Sequence, residues 1–169
     1  MSRRQTVMLG VIIERRKIDN PWQDYSYHPV AVVPGMPALD AGEGWRLIRE
    51  GEGWTHFHAA TLELELFAGE TGGYKANLSN FQPHVYVVLT PGEEAEDEEV
   101  VPKLVTACPY EAESYTEDSE MIVEGVPMPE ELAAWIGTFV DTFHVEEQFV
   151  KRKRNKAYDP RKGDMRPRP

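Results

Sequence analysis

From Trp54 to Phe67 the chain alternates, and no other stretch limits the possible folds as strongly. Even positions read Trp54, His56, His58, Ala60, Leu62, Leu64 and Leu66. Odd positions read Thr55, Phe57, Ala59, Thr61, Glu63, Glu65 and Phe67. Successive side chains of a strand point to opposite faces, so Leu on one side and Glu on the other mark a half-buried antiparallel strand. Ordinary strands run to roughly 10 residues. A run this long predicts a bend or bulge near Ala59-Ala60.

Other segments read as shorter strands. Thr6 to Glu14 carries Val7, Val11, Ile12 and Ile13, which favour β structure. Asp19-Asn20-Pro21-Trp22 is turn chemistry, because Asn and Pro start turns and the residue before Pro avoids the helix. Pro29 to Val33 reads as a second strand, and residues 35–44 as a loop. Trp45 to Ile48 is ambiguous. Strands are expected at His84–Leu89, Leu104–Ala107 and Met121–Val126, with a short helix at Glu111–Tyr115. Gly69 to Asn80 is polar and Gly-containing and reads as a loop with room for one helical turn. In Glu130–His144, Leu132, Trp135, Ile136, Phe139, Val140 and Phe143 recur at helical spacing behind Pro129 and two acids. No stretch between strands reads as a crossover helix. The pattern predicts an α+β fold: a mostly antiparallel sheet of about six short strands packed with one long C-terminal amphipathic helix, then a disordered basic tail.

Charge divides the chain at residue 150. Its 18 Lys/Arg and 29 Asp/Glu give a net charge of −11, yet half of the basic residues fall in 151–169. Residues 1–150 are therefore expected to form one acidic domain, and 151–169 a proline-broken tail kept open by self-repulsion. An acidic body repels phosphate backbones, so nucleic acid is an unfavoured partner for it. The lone cysteine, Cys108, has no internal disulfide partner and reads as a small strand residue. No apolar run approaches the roughly 20 residues of a membrane span. Ser2-Arg3-Arg4 before Val7–Ile13 faintly resembles an export signal. The run passes straight into Glu14-Arg15-Arg16-Lys17 without a cleavage site, so a cytoplasmic location is expected.

Candidate chemistry is sparse. His56 and His58 lie two apart on a strand and project to one face, where they can chelate a transition metal or place a base. By strict alternation that face also holds Trp54, Leu62, Leu64 and Leu66, so packed, hydrogen-bonded histidines are the competing reading. No third ligand is implied. His144-Val145-Glu146-Glu147 lacks the second histidine of a zinc-protease motif and is explained by helix capping. There is no phosphate loop, no Gly-x-Gly-x-x-Gly and no Gly-x-Ser-x-Gly elbow. Trp22, Tyr25 and Tyr27 surround the Asn20-Pro21 turn and form either a binding surface or core edges. Lys151, Arg152, Lys153 and Arg154 open the tail, which either solubilises the chain, docks on an acidic protein surface, or binds nucleic acid or anionic lipid.

One resemblance emerges from the order of short motifs. Glu14-Arg15-Arg16, Asn20-Pro21-Trp22, Tyr86-Val87-Val88-Leu89, Val105-Thr106-Ala107 and Pro109-Tyr110-Glu111-Ala112 appear in sequence. Val126-Pro127-Met128-Pro129 and His144-Val145-Glu146-Glu147 follow, leading into Lys151-Arg152-Lys153-Arg154. From about Gly10 to Arg154 the chain resembles the proteobacterial domain-of-unknown-function family 3305. Members of that family are typically encoded beside molybdenum-dependent formate dehydrogenase subunits and their maturation factors. The resemblance implies a non-enzymatic accessory or maturation protein for such an enzyme, with no cofactor of its own. Its partner would be a molybdoenzyme subunit or another maturation factor. Asn20, Trp22, Tyr25 and Lys151–Arg154 are the expected contact residues. The alternatives are a metal-dependent enzyme using His56 and His58, and a nucleic-acid or anionic-surface binder acting through the tail.

Overall fold

The first strand, β1, runs from Arg4 to Asn20 and organises the molecule. Its odd positions Leu9, Val11 and Ile13 are fully buried, and neighbours pair with it on both sides. The computed structural model describes residues 1–40, 42–94 and 98–145. β2 (Gln23–Pro34) returns from β1 as an antiparallel hairpin, and β4 (Trp54–Phe67) pairs along the other edge. β3 (Arg46–Gly51) forms a second hairpin with β4, giving the order β2-β1-β4-β3. A separate antiparallel sheet has the order β6-β5-β7, with β5 His84–Pro91, β6 Val100–Thr106 and β7 Ile122–Pro127. β4 contacts β6 and β2 contacts β7, so the two sheets stack face to face.

Three helices complete the fold. α1 (Thr71–Leu78) follows a 3-10 turn at Ala68–Glu70, α2 is Pro109–Tyr115, and α3 is Glu130–Phe143. α3 buries Leu132, Ile136, Phe139 and Val140 in the core that also holds Leu9, Val11, Ile13, Val85, Val87 and Leu89. α2 packs on β5, where Val88 and Ala112 are buried.

The fold is α+β, but the expectation of one sheet of about six short strands with a single long C-terminal helix is overturned. There are two sheets with seven strands among the described residues, and three helices, the longest of 14 residues. The physical reason is pairing: the α1 segment, read as a loop, separates β4 from β5, and β5 finds its partners downstream in β6 and β7. β1 also extends six residues past Glu14, and the ambiguous Trp45–Ile48 segment contributes to the edge strand β3. The tail and the boundary at residue 150 lie outside the described residues.

The expected bulge is present, and it changes the reading of β4. Val11 faces Ala60 and Ile12 faces His58, leaving Ala59 as the extra residue. That insertion reverses the alternation. Downstream, Leu62 and Leu64 pair with Leu9 and Val7 and point inward. Upstream, Phe57 pairs with Ile13 on the inner face, so His56 and His58, opposite Glu14 and Ile12, lie on the outer face. His56 and His58 therefore do not share a face with Leu62, Leu64 and Leu66. Val30 and Ile48 are further bulges at the same level of β2 and β3.

Candidate functional site

The β1–β2 hairpin closes on Asn20, which pairs with Gln23 across Pro21 and Trp22. The Asn20 Oδ1 accepts the Trp22 N–H at 2.8 Å, an Asx turn that stiffens the tip. Pro21 fixes its own φ, so little backbone freedom remains. Trp22 is 92% exposed. A cavity at the tip is lined by Pro21, Trp22, Gln23, Asp24 and Glu99, giving the indole an acidic surround.

Tyr25 belongs elsewhere. The Arg15 guanidinium lies between the Tyr25 ring, 4.6 Å away, and the Phe57 ring, 4.9 Å away. Trp45 joins this cluster, 5.5 Å from Phe57 and 5.9 Å from Tyr27 between ring centroids. Burial pushes the Tyr27 phenol up to about 12; the Glu99 carboxylate adds to this and Arg15 opposes it. The structure thus brings Asn20 and Trp22 together and places Tyr25 in an inner-face aromatic cluster. Arg15 was not singled out from sequence. Its signal is a cation at an inward register position opposite Tyr27, visible only once the pairing is known.

On the outer face, His56 Nε2 donates to Glu14 Oε2 at 3.0 Å, and Arg49 Nε donates to His56 Nδ1 at 3.3 Å. Both nitrogens of this imidazole are occupied. Arg16 Nε also donates to Glu14, at 2.7 Å. The His56 hydrogen bond, helped by Arg16 against the cost of burial, holds the Glu14 carboxyl below the usual range. His58 is fully buried. Its Nε2 meets Thr61 Oγ1 at 2.9 Å, and that hydroxyl donates to the Pro37 carbonyl at 3.1 Å. Its Nδ1 is buried and meets no partner of full hydrogen-bond geometry. Burial lowers the His58 pKa; Arg46 adds to this, while Ala60's backbone and Glu43 oppose it.

Both shifts have the same sign. Glu14 and His58 take up protons less readily folded than unfolded, so stability is complete above their unfolded values and falls as pH falls. The loss is expected to begin below 6.5 through His58 and to deepen below 4.5 through Glu14. Each group can contribute a slope of at most about 1.4 kcal/mol per pH unit. Urea midpoints at a series of pH values between 7.5 and 5 check this. The fall in that range should flatten in His58→Leu, and an unchanged slope would refute the assignment.

A family model described as "Protein of unknown function (DUF3305)" matches residues 8–153. The chain belongs to this family. The DUF3305 match runs from within β1 through α3. It takes in Asn20, Trp22 and Tyr25 and reaches Lys153, with Arg154 just beyond it. No curated protein and no solved structure matches the chain. Lys151, Arg152, Lys153 and Arg154 lie outside the described residues.

The remaining candidates in this DUF3305 chain have structural partners. Cys108 is buried as the residue capping α2, with Gly73 against its sulfur, where a Cβ would sit 2.5 Å away. His144 ends α3: its N–H reaches the Val140 carbonyl at 2.8 Å, and its Nδ1 meets Thr71 Oγ1 at 3.0 Å. Among the described residues, no three His, Cys, Asp or Glu side chains converge as a metal set. No described helix is long and apolar enough to cross a membrane.

Proposed function

We propose that this DUF3305 protein is a non-enzymatic accessory protein that docks a protein partner through the tip of its β1–β2 hairpin. In its most specific form it is a cytoplasmic maturation factor for a molybdenum-dependent formate dehydrogenase. Its contact would be an enzyme subunit or another maturation factor, and it would carry no cofactor of its own. The observation that carries the reading is Trp22, 92% exposed on a turn braced by Asn20. An exposed indole costs solvation, and the braced turn beneath it loses little backbone entropy on binding; tryptophan is a favoured anchor in protein interfaces. Lys151–Arg154 would add a salt-sensitive contact to an acidic partner. The formate dehydrogenase assignment rests on the order of the sequence motifs.

Affinity purification from the native cell tests the docking step, using the full chain, Trp22→Ala and a chain ending at residue 150. Trp22→Ala should fold with stability within about 0.5 kcal/mol of the parent. It should lose about 10- to 100-fold in affinity for the captured protein. Deleting the gene should lower formate dehydrogenase activity and its molybdenum content. Unchanged capture by Trp22→Ala would remove the hairpin from the reading, and unchanged enzyme activity would remove the client.

A further inference from the structure

We infer that the outer face of the four-stranded sheet carries a binding site for a small carboxylate with an apolar body. A cavity of about 420 Å³ opens there, walled by Ile12, Val30, Val33, Met36 and Ile48 with Arg49 and His56 at one side. Its size falls within the roughly 300–1,000 Å³ typical of ligand sites, and its make-up, apolar walls with few polar groups, is the usual one.

The cavity follows from how the chain is paired. The bulges at Val30 and Ile48 lie on the strands flanking the β1–β4 pair. A bulge bends its strand and re-aims side chains, and Ile48 and Arg49 both reach this cavity from β3. The β2–β3 connection supplies one wall. Met36 rests on Gly10, where any Cβ would collide with it. Thr61 holds that wall by hydrogen-bonding the Met36 and Pro37 carbonyls at 3.4 and 3.1 Å.

Charge selects the ligand's head. On this face Arg16 pairs with Glu14 and Arg46 pairs with Glu43. Arg49 has no carboxylate partner among the described residues, in a chain with 29 acidic side chains. It donates through Nε to His56 and lies 5.7 Å from the Trp54 ring centroid. His56 is in turn held by Glu14. This anchoring orients the guanidinium and leaves its two terminal NH2 groups without an acceptor among the described residues. A carboxylate matches that planar donor edge, and the aliphatic wall matches a hydrocarbon body.

Calorimetric titration of the full chain with decanoate, below its micelle concentration, tests the site against decanol as the neutral counterpart. Decanoate should bind saturably at one site per chain. Arg49→Gln should weaken decanoate about tenfold while changing decanol affinity less than about twofold. Ile48→Asp, at an exposed edge position, should abolish both. Trp22→Ala should change neither, which separates this site from the hairpin. The proposal is overturned by absent decanoate binding, by Arg49→Gln binding as tightly as the parent, or by equal losses for acid and alcohol.

Discussion

Asn77→Ala is expected to destabilise the protein by about 3–5 kcal/mol, in a molecule whose whole folding free energy is about 5–15 kcal/mol. Asn77 is fully buried in α1. Its Nδ2 donates to the His84 carbonyl at 2.7 Å and to the Ala107 carbonyl at 2.9 Å, and its Oδ1 accepts the His84 N–H at 3.0 Å. One amide therefore ties α1 to the start of β5 and to Ala107, just after β6. Removing it strips the buried Ala107 carbonyl and the half-buried His84 carbonyl and N–H of this partner; a fully buried orphan costs about 1–3 kcal/mol and the half-buried pair less. An apolar side chain cannot offset this, because the orphaned groups are backbone. Urea unfolding followed by circular dichroism measures the effect, and a loss below about 1 kcal/mol would show that water reaches those groups.

Phe139→Ala should cost about 4 kcal/mol. Phe139 is fully buried on the inner side of α3, with ring centroids 4.9 Å from Phe143 and 6.2 Å from Tyr74. Truncation removes transfer energy and leaves a cavity between α1 and α3 that two aromatic neighbours can fill only in part. For a chain of this size the loss corresponds to a drop of about 8–16 °C in melting temperature. Phe143→Ala, at a half-buried position, should lose distinctly less. Equal losses at the two positions would contradict the burial order along α3.

The two predictions also separate what the pattern of residues reveals from what it hides. Phe139 is legible because Leu132, Ile136, Phe139 and Val140 recur at helical spacing, and those four are the buried residues of α3. Asn77 is not legible. α1 contains two adjacent glycines and buries Thr71, Gly73, Tyr74 and Asn77 without an apolar stripe. Hydrophobic periodicity is blind to a helix held by polar bonds and ring contacts.

The candidate sites divide in the same way. The Asn20-Pro21 turn is readable because its conformation is local, and Trp22 is exposed because it stands on that turn. The fate of Tyr25 is not local, since it depends on Arg15 occupying the register position between β2 and β4. Charged Arg15, Arg16 and Lys17 hide the extension of β1 to Asn20, because a cation stacked on two rings looks like a solvated one in sequence.

By itself, the sequence determined the alternation of β4, the need for a bulge within it, the turn at Asn20-Pro21 and the apolar face of the final helix. These follow from side-chain period and backbone preference, which act within a few residues. Only the tertiary structure decided the division into two sheets, because strand pairing is a choice among distant partners. It also decided which face His56 and His58 occupy. A single extra residue at Ala59 reverses every side chain upstream of it, and the position of that residue is set by the ladder with Val11 and Ile12.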